Sequence, residues 1–161
     1  MIIRKFKKED AKAVCVLVCK TFKEFVASVC TKKGAKEWLE EQTPEKQIER
    51  AKIRDIYVAT INNKVVGMIE GKKNDRITRL FVDKKYHRKG IARNLTNKIE
   101  KLYRKKGSKK ILTRSSLYAQ KFYEKMGYKK IGRKIKRKGI VYQPMKKVLS
   151  RSKLRELIYG E

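Results

Sequence analysis

The stretch Tyr86-His87-Arg88-Lys89-Gly90-Ile91-Ala92 follows an apolar segment that ends at Val82, and its last residues open a helical pattern of apolar positions. A helix N-terminus leaves its first N–H groups unpaired and carries a partial positive charge. Gly90 permits close approach of a ligand to the backbone, and Arg88 and Lys89 supply cations. This strand–loop–helix stretch therefore predicts an anion-binding site that suits a diphosphate.

Two common nucleotide-binding patterns do not describe this loop. The stretch holds a single glycine at Gly90, whereas the dinucleotide fingerprint needs three at fixed spacing. The sequence also lacks the GxxxxGK[ST] pattern of nucleoside triphosphatases. The loop is thus expected to bind a phosphorylated ligand of another class.

Apolar periodicity around the loop predicts the remaining elements. Strands are expected at 2–6, 56–61, 64–70, 76–82, 110–113, 128–135 and 140–149, and helices after Asp10, around Trp38, from Pro44, from Ile91 and from Ser115 or Ser116. Three consecutive strands joined by tight turns indicate an antiparallel meander. The predicted architecture is α/β, with a mixed, mostly antiparallel central sheet flanked by helices. A single domain is expected over residues 1–149, followed by a short helical tail over 150–161.

Composition separates the chain from several classes of protein. Hydrophobic residues make up 40% of the chain, which is more than a disordered chain contains. Charged residues make up 39%. The 46 Lys and Arg against 16 Asp and Glu give a formal net charge of +30. Such a field attracts anions of any kind, and a general preference for lysine in the source proteome is an alternative explanation.

The sequence indicates a cytoplasmic protein without metal or membrane. Its opening residues become charged at once, so no signal peptide is expected, and no apolar run approaches the length of a membrane span. Three cysteines form no disulfide framework. Cys15 and Cys19 lie one helical turn apart, but no second pair follows and the single histidine is distant, so buried reduced thiols are expected.

Three motifs resemble those of the GNAT superfamily of N-acetyltransferases. His87-Arg88-Lys89-Gly90-Ile91-Ala92 matches the pattern [QR]-x-x-G-x-[GA] except at its first position, and the preceding Leu80-Phe81-Val82-Asp83 resembles the hydrophobic strand of that family. The later Ala119-Gln120-Lys121-Phe122-Tyr123-Glu124-Lys125-Met126-Gly127-Tyr128 is similar to its A-x-x-F-Y-x-x-x-G-[FY] helix and turn. The resemblance is clear over residues 56–132. It implies a GNAT-like fold and an acetyl-CoA-dependent transfer of an acetyl group to a primary amine.

The resemblance also implies where acetyl-CoA would bind. Pantetheine would lie along Leu80-Phe81-Val82, and a backbone N–H near Phe81 or Val82 would stabilise the oxyanion of a tetrahedral intermediate. The diphosphate would rest on the amides of residues 88–92. Ser116 stands where many relatives carry asparagine, so a side-chain bond there is in doubt. The implied cofactor-binding residues are Leu80, Phe81, Val82, His87, Arg88, Lys89, Gly90, Ile91, Ala92, Arg93 and Ser116.

Tyr123 occupies the family's position for the general acid that protonates the departing thiolate. A phenol of ordinary pKa, about 10, donates to a thiolate of pKa about 8.5 only if the site assists. The structural alternative is that Tyr123 merely packs beside Phe122. The motif context favours the catalytic role.

The general base has no clear candidate on the expected strand. Many relatives place a glutamate there, but residues 76–80 read Arg-Ile-Thr-Arg-Leu. Glu70 on the neighbouring strand is the nearest substitute, Glu24 on the first helix is another, and a chain of water molecules needs neither. His87 is expected at the phosphates, away from the chemistry.

A second class of function remains open from the sequence. Basic runs at 133–134 and 136–138 suit a nucleic-acid- or ribosome-associated protein on the same fold. No zinc finger, RNA-recognition motif or helix-turn-helix spacing supports that interpretation. For the enzyme, a strongly basic protein favours an acidic or neutral acceptor, or an amine of a protein in an acidic setting. A homodimer through the tail is a further hypothesis, and no membrane partner is expected.

Overall fold

The sheet and helices of this chain are described by a computed structural model that covers residues 1–149. The predicted helical tail from Ser150 lies outside the described residues. The strands are β1 (Ile2–Lys5), β2 (Asp55–Ile61), β3 (Lys64–Lys72), β4 (Arg76–Val82), β5 (Lys110–Ser115), β6 (Lys129–Lys130), β7 (Ile135–Arg137) and β8 (Ile140–Val148). The helices are α1 (Ala11–Phe25), α2 (Lys32–Glu40), α3 (Pro44–Ala51), α4 (Ile91–Lys105) and α5 (Gln120–Lys125).

The strands form one mixed sheet in the order β1-β2-β3-β4-β5-β8-β6, and β7 pairs with the first half of β8. Each neighbouring pair is antiparallel except β4 and β5, which run parallel. The α4 crossover joins those two strands, as a parallel connection requires. The mixed, mostly antiparallel sheet predicted from the sequence is therefore confirmed.

The parallel pairing of β4 with β5 is short. It covers Arg76 opposite Leu112 and Ile77 opposite Thr113, and the two strands separate after Ile77. The second half of β4 consequently has a free edge in the middle of the sheet. This opening leads directly toward the Gly90 loop, because β4 ends at Val82.

A bulge in β4 changes which face its side chains occupy. Glu70 lies opposite Arg79 and Gly71 lies opposite Ile77, so Thr78 is the extra residue. Ile77 and Leu80 both contact the core on the α4 side, although a regular strand would place them on opposite faces. The bulge thereby directs Phe81 toward the α1 side of the sheet.

Helices cover both faces of the sheet and bury two apolar clusters. Buried residues on the α4 side include Ile91, Leu95, Ile99 and Tyr103. The smaller cluster on the α1 side centres on Val14, Leu17, Val18, Ile56, Val58 and Met68. The helix expected after Asp10 therefore packs an apolar face against the core.

Several local predictions are confirmed. Asn62 and Asn63 take φ values of 49° and 61°, as a two-residue hairpin turn requires. Thr43 caps α3 by accepting a hydrogen bond from the Lys46 N–H at 3.2 Å, with Pro44 as the first helical residue.

Two predicted boundaries are wrong. The strand expected over 128–135 is two separate strands, β6 and β7, because a turn with Gly132 at φ 69° lies between them. The helix expected from Ser115 or Ser116 begins at Gln120 instead. Ser116 caps the preceding turn, where its Oγ accepts a hydrogen bond from the Ala119 N–H at 3.2 Å.

Candidate active site

The loop before α4 presents a row of unpaired backbone donors. Arg88 and Gly90 take left-handed φ values of 60° and 76°, and α4 begins at Ile91. Within residues 1–149, no main-chain acceptor receives a hydrogen bond from the N–H of Arg88, Lys89 or Gly90. The first N–H groups of α4 lack helical partners as well. Free main-chain donors at a helix N-terminus are the groups that an anion-binding site requires.

Side chains around the loop reinforce this charge. Arg88, Lys89 and Arg93 are exposed, and the Lys89 ammonium lies 5.4 Å from the centroid of the Tyr86 ring. Ile91 is buried in the core, so only its backbone faces the loop. The cations therefore surround the site while the donors at its centre belong to the main chain.

His87 is directed away from the loop. Its Nε2 donates to the carbonyl oxygen of Val82 at 2.8 Å, and its ring stacks on Phe25 with the centroids 5.3 Å apart. The sequence led us to expect His87 beside the phosphates. The structure instead places its imidazole between the end of β4 and α1, where it fixes the direction in which the chain leaves the strand.

The free edge of β4 carries the next set of donors. The Asp83 N–H donates to the Val66 carbonyl at 2.9 Å, which marks the side of the ladder that faces β3. Hydrogen-bonded pairs alternate along antiparallel strands, so the main-chain groups of Phe81 also face β3. Those of Leu80 and Val82 face the opening between β4 and β5. His87 binds the Val82 carbonyl, which leaves the Val82 N–H and both main-chain groups of Leu80 facing the opening.

A cavity of about 980 Å³ occupies this opening and extends toward α2. Leu80, Phe81, Ser116 and Tyr123 line it. Burial raises the pKa of Tyr123 to about 12, and a hydrogen bond with the Thr113 side chain acts in the opposite direction. Tyr123 is therefore neutral at physiological pH and a weaker acid than an ordinary phenol, so the protein environment does not provide the assistance that proton donation to a thiolate requires.

Glu70 does not reach this cavity. Its side chain is fully buried, accepts hydrogen bonds from Arg54 and from the Thr78 hydroxyl at 2.7 Å, and lies 3.7 Å from Arg79 Nε. Burial favours the protonated form, but Arg79, Thr78 and Arg54 together hold the pKa of Glu70 below its usual range. A buried carboxylate with a lowered pKa suits a counter-ion for arginine better than the general base suggested by the sequence.

A roof closes the far side of the cavity. The start of α2 contacts the tip of the β7–β8 hairpin, where the Thr31 N–H donates to the Gly139 carbonyl at 2.9 Å. Trp38 stacks on Phe22 beneath this roof, with the ring centroids 3.9 Å apart. The roof therefore covers one side of the cavity.

The sequence predictions missed Arg54, Arg79 and the roof residues. A strict alternation of faces places Arg79 on the same side as Ile77, and only the bulge at Thr78 reverses that placement. The roof depends on contact between segments about one hundred residues apart, for which no local signal exists. The one signal that could have pointed to a buried role for Arg79 was a cation next to the apolar residues Leu80, Phe81 and Val82.

Within residues 1–149 the structure contains no helix with the length and apolarity needed to cross a bilayer. The same part of the chain holds no group of three His, Cys, Asp or Glu side chains arranged to bind a metal. Cys15 is buried, Cys19 and Cys30 are half-buried, and all three thiols are free.

The site therefore combines a mixed sheet that opens between two parallel strands with a loop of free main-chain donors beside the opening. Residues 26–149 match the family model of the acetyltransferase (GNAT) domain, and the chain belongs to that family. The protein is thus a GNAT-type N-acetyltransferase, as its motifs indicated. No curated protein sequence shows significant similarity to it.

Solved structures share this fold at low sequence identity. A GCN5-related N-acetyltransferase from Rhodopseudomonas palustris has a TM-score of 0.82 and 22% identity, over 92% of this chain and 95% of that one. The PaiA N-acetyltransferase from Thermoplasma acidophilum, in complex with coenzyme A, has a TM-score of 0.77 and 22% identity, over 91% of this chain and 98% of that one. The aminoglycoside 6'-N-acetyltransferase from Enterococcus faecium has a TM-score of 0.65 and 18% identity, over 93% of this chain and 98% of that one.

Proposed function

We propose that residues 1–149 form a single catalytic domain that transfers an acetyl group from acetyl-CoA to a primary amine by direct attack. The observation that carries this proposal is the adjacency of two sets of free main-chain donors. The amides of residues 88–92 would hold the diphosphate, and the free edge at Leu80 would hold pantetheine. A related fold from Thermoplasma acidophilum is described in complex with coenzyme A, which supports the same ligand here.

The chemistry assigned to the site requires an oxyanion donor and a group at the sulfur. As the amine nitrogen attacks the thioester carbonyl, the Leu80 N–H donates to the oxygen that gains negative charge. We assign this donor to Leu80, because the Phe81 main chain faces β3, and the Val82 N–H, which also faces the opening, is the alternative donor from the sequence analysis. The C–S bond then breaks, and the Tyr123 hydroxyl donates to the departing sulfur as the general acid. The nitrogen then loses its extra proton, which returns to the Tyr123 phenolate, so that the products are the neutral amide and the free thiol of coenzyme A.

The acceptor amine must lose one proton before it attacks. We propose that water in the open part of the cavity takes this proton, because Glu70 is buried and bound by two arginines. Glu70 then acts as a positioning residue, which fixes the side chain of Arg79 on β4.

A calorimetric titration with acetyl-CoA tests the proposed site, using two matched glycine substitutions. Gly90 and Gly107 have φ values of 76° and 86°, and a Cβ atom added to either residue would have no neighbouring atom within 4 Å. Gly90→Glu and Gly107→Glu therefore carry similar backbone strain at opposite ends of α4. We expect Gly90→Glu to lose acetyl-CoA binding by about a hundredfold or more, because a carboxylate would meet the diphosphate, and Gly107→Glu to retain it.

A short oligonucleotide serves as the second ligand in the same titration. Binding of acetyl-CoA that depends on Gly90 and is not matched by the oligonucleotide supports the enzyme. Equal, salt-sensitive binding of both ligands that is indifferent to Gly90 would favour the nucleic-acid-associated alternative.

A further inference from the structure

Three arginines approach one another at the acceptor side of the cavity. Arg50 lies on α3, Arg79 lies on β4, and Arg54 lies between α3 and β2. Arg54 and Arg79 lie close together, because both form ion pairs with the carboxylate of Glu70. Within residues 1–149, Glu70 is the one carboxylate that forms an ion pair with any of the three arginines. Arg54 and Arg79 therefore share a single anion.

Burial makes this excess of charge consequential. The Arg79 side chain is only 9% exposed and that of Arg54 is 22% exposed. Burial lowers the pKa of Arg79 to about 10, and although Glu70 opposes this effect, Arg50 and Arg54 add to it. Arg79 still carries its charge at neutral pH. A buried charge without a full partner is unfavourable, and binding of an anion relieves it.

Arg54 and Arg79 both line the cavity. Arg79 uses Nη1 to donate to the Gln47 side chain at 3.1 Å, and Arg54 uses Nη1 to donate to Glu70. The Nη2 group of each makes no hydrogen bond within the described part of the chain. The wall of the cavity therefore offers one free Nη2 group from each of two guanidinium ions, and such groups donate charge-assisted hydrogen bonds to a carboxylate.

Acidic residues at the cavity rim do not balance this charge. Glu37, Glu40 and Glu41 are each more than half exposed. Lysines of the same segment pair with all three, at 3.9 Å, 3.9 Å and 2.6 Å respectively. Exposed, paired carboxylates are screened by solvent and contribute little to the field inside the cavity.

We propose that Arg79 and Arg54 form a carboxylate-binding subsite and that the acceptor is a small molecule carrying both a primary amine and a carboxylate. This inference rests on the proposed acetyl transfer and specifies its substrate class. Arg54 and Arg79 share the single carboxylate of Glu70, so the cavity wall keeps an excess of positive charge that a carboxylate of the acceptor would neutralise. The roof formed by α2 and the β7–β8 hairpin covers one side of the cavity, which favours a compact acceptor.

The first test uses the wild-type protein and matched pairs of acceptors. Glycine, β-alanine and 4-aminobutyrate are compared with their amides by initial rates of acetyl transfer, and spermidine serves as the polycationic acceptor. We expect the best acid to exceed its amide by about tenfold or more in kcat/KM, as loss of a charge-assisted hydrogen bond implies. Amides that match their acids, or a preference for spermidine, would overturn the subsite while leaving acetyl transfer intact.

Binding provides a readout that does not depend on turnover. Protein loaded with coenzyme A is titrated with N-acetyl-β-alanine and with its amide. Tighter binding of the acid by about tenfold supports the subsite, and equal or absent binding of both compounds overturns it. Failure of coenzyme A itself to bind is a separate result, which would refute the proposed function.

Substitutions then locate the subsite. We expect Arg79→Gln to abolish the difference between acid and amide. Arg79→Lys, which keeps the charge but loses the planar fork, should reduce the difference and keeps the test valid if the glutamine variant does not fold. Arg114→Gln is the matched control, because Arg114 lines the same cavity but is exposed and lies over the Tyr142 ring. An acid preference that survives Arg79→Lys undiminished and falls in Arg114→Gln would overturn the assignment.

Discussion

The backbone N–H of Thr31 donates to the carbonyl oxygen of Gly139 at 2.9 Å, and this bond joins the start of α2 to the tip of the β7–β8 hairpin. The two segments meet closely because Gly139 has no side chain to collide with the Thr31 hydroxyl. Gly34 lies in the same contact, against the backbone of Lys138 and Gly139. The acceptor cavity owes its closed side to these few contacts.

Gly34→Ala tests the roof. A methyl group at this position would lie 2.5 Å from the Lys138 carbonyl oxygen, so α2 and the hairpin must move apart. Alanine favours a helix over glycine, so any destabilisation comes from this contact. We expect a loss of about 1–3 kcal/mol in the free energy of unfolding. The KM for the acceptor should rise, with unchanged affinity for acetyl-CoA. Chemical denaturation and steady-state kinetics measure the two effects.

Lys33→Ala is the control for this prediction. Its side chain lies in the same helix and is 87% exposed, so its removal should change stability by less than about 0.5 kcal/mol. Equal effects of the two substitutions would show that the contact at Gly34 does not hold the roof.

Tyr123→Phe removes the hydroxyl proposed to donate to sulfur. The ring remains and keeps its edge-to-face contacts with Phe122 and Tyr128, at centroid distances of 5.2 and 5.1 Å. We expect kcat to fall by about a hundredfold, the usual scale for a lost proton donor, with little change in acetyl-CoA affinity. Tyr128→Phe, which removes a hydroxyl bonded to Glu100 at 2.9 Å, should reduce stability and spare kcat. An unchanged kcat in Tyr123→Phe would contradict the assignment.

The dependence of kcat on pH follows from the raised pKa of Tyr123. An acid with pKa about 12 stays protonated throughout the working range, so its ionisation gives no fall in rate below about pH 11. The rate should rise with pH as the bound amine loses its proton, and then level off. A rate profile recorded between pH 6 and pH 10 tests this, and a fall in kcat with midpoint below pH 10 would count against Tyr123 as the proton donor.

Glu70 contributes to stability in a pH-dependent way. Its pKa is lower in the folded state, so its contribution is present in full above the pKa of the unfolded chain, about 4.3. The contribution is lost as the pH falls through the lower, folded value. Glu70→Gln should therefore cost about 3–5 kcal/mol at pH 7, because it leaves Arg54 and Arg79 buried without their anion.

Denaturation by urea at several pH values measures this effect. The difference in free energy of unfolding between wild type and Glu70→Gln should shrink as the pH falls below about 4.3. Asp10→Asn is the control variant for an ion pair outside the site, since Asp10 also has a lowered pKa and pairs with Arg4. Its stability should depend on pH in the same sense, while its acetyl transfer should match that of the wild type. A difference that stays constant down to low pH would refute the role of Glu70 as a charged partner.

Much of the fold could be predicted because its signals are local. The meander over β2, β3 and β4 shows alternation and turn residues such as Asn62-Asn63. The loop before α4 joins one glycine to the start of a helix. The prediction of one strand over residues 128–135 was wrong, because Gly132 creates a turn that apolar alternation does not reveal.

The acceptor side of the site could not be predicted, since it depends on how distant segments meet. The bulge at Thr78 reverses the face of Arg79, and the contact between Thr31 and Gly139 forms only in the folded chain. Glu70 illustrates the same limit. Its position on β3 was correct, but its three polar partners come from other parts of the sequence and determine its charge.

The free donors at Leu80 and around Gly90 belong to the main chain, so the two sides of the proposed site depend on different parts of the protein. Backbone N–H groups remain when side chains are exchanged, so we expect binding of the acetyl donor to tolerate most side-chain substitutions near these donors. The proposed acceptor subsite depends instead on the side chains of Arg54 and Arg79 and on the contact at Gly34. If that proposal holds, this wall is the place to engineer new selectivity.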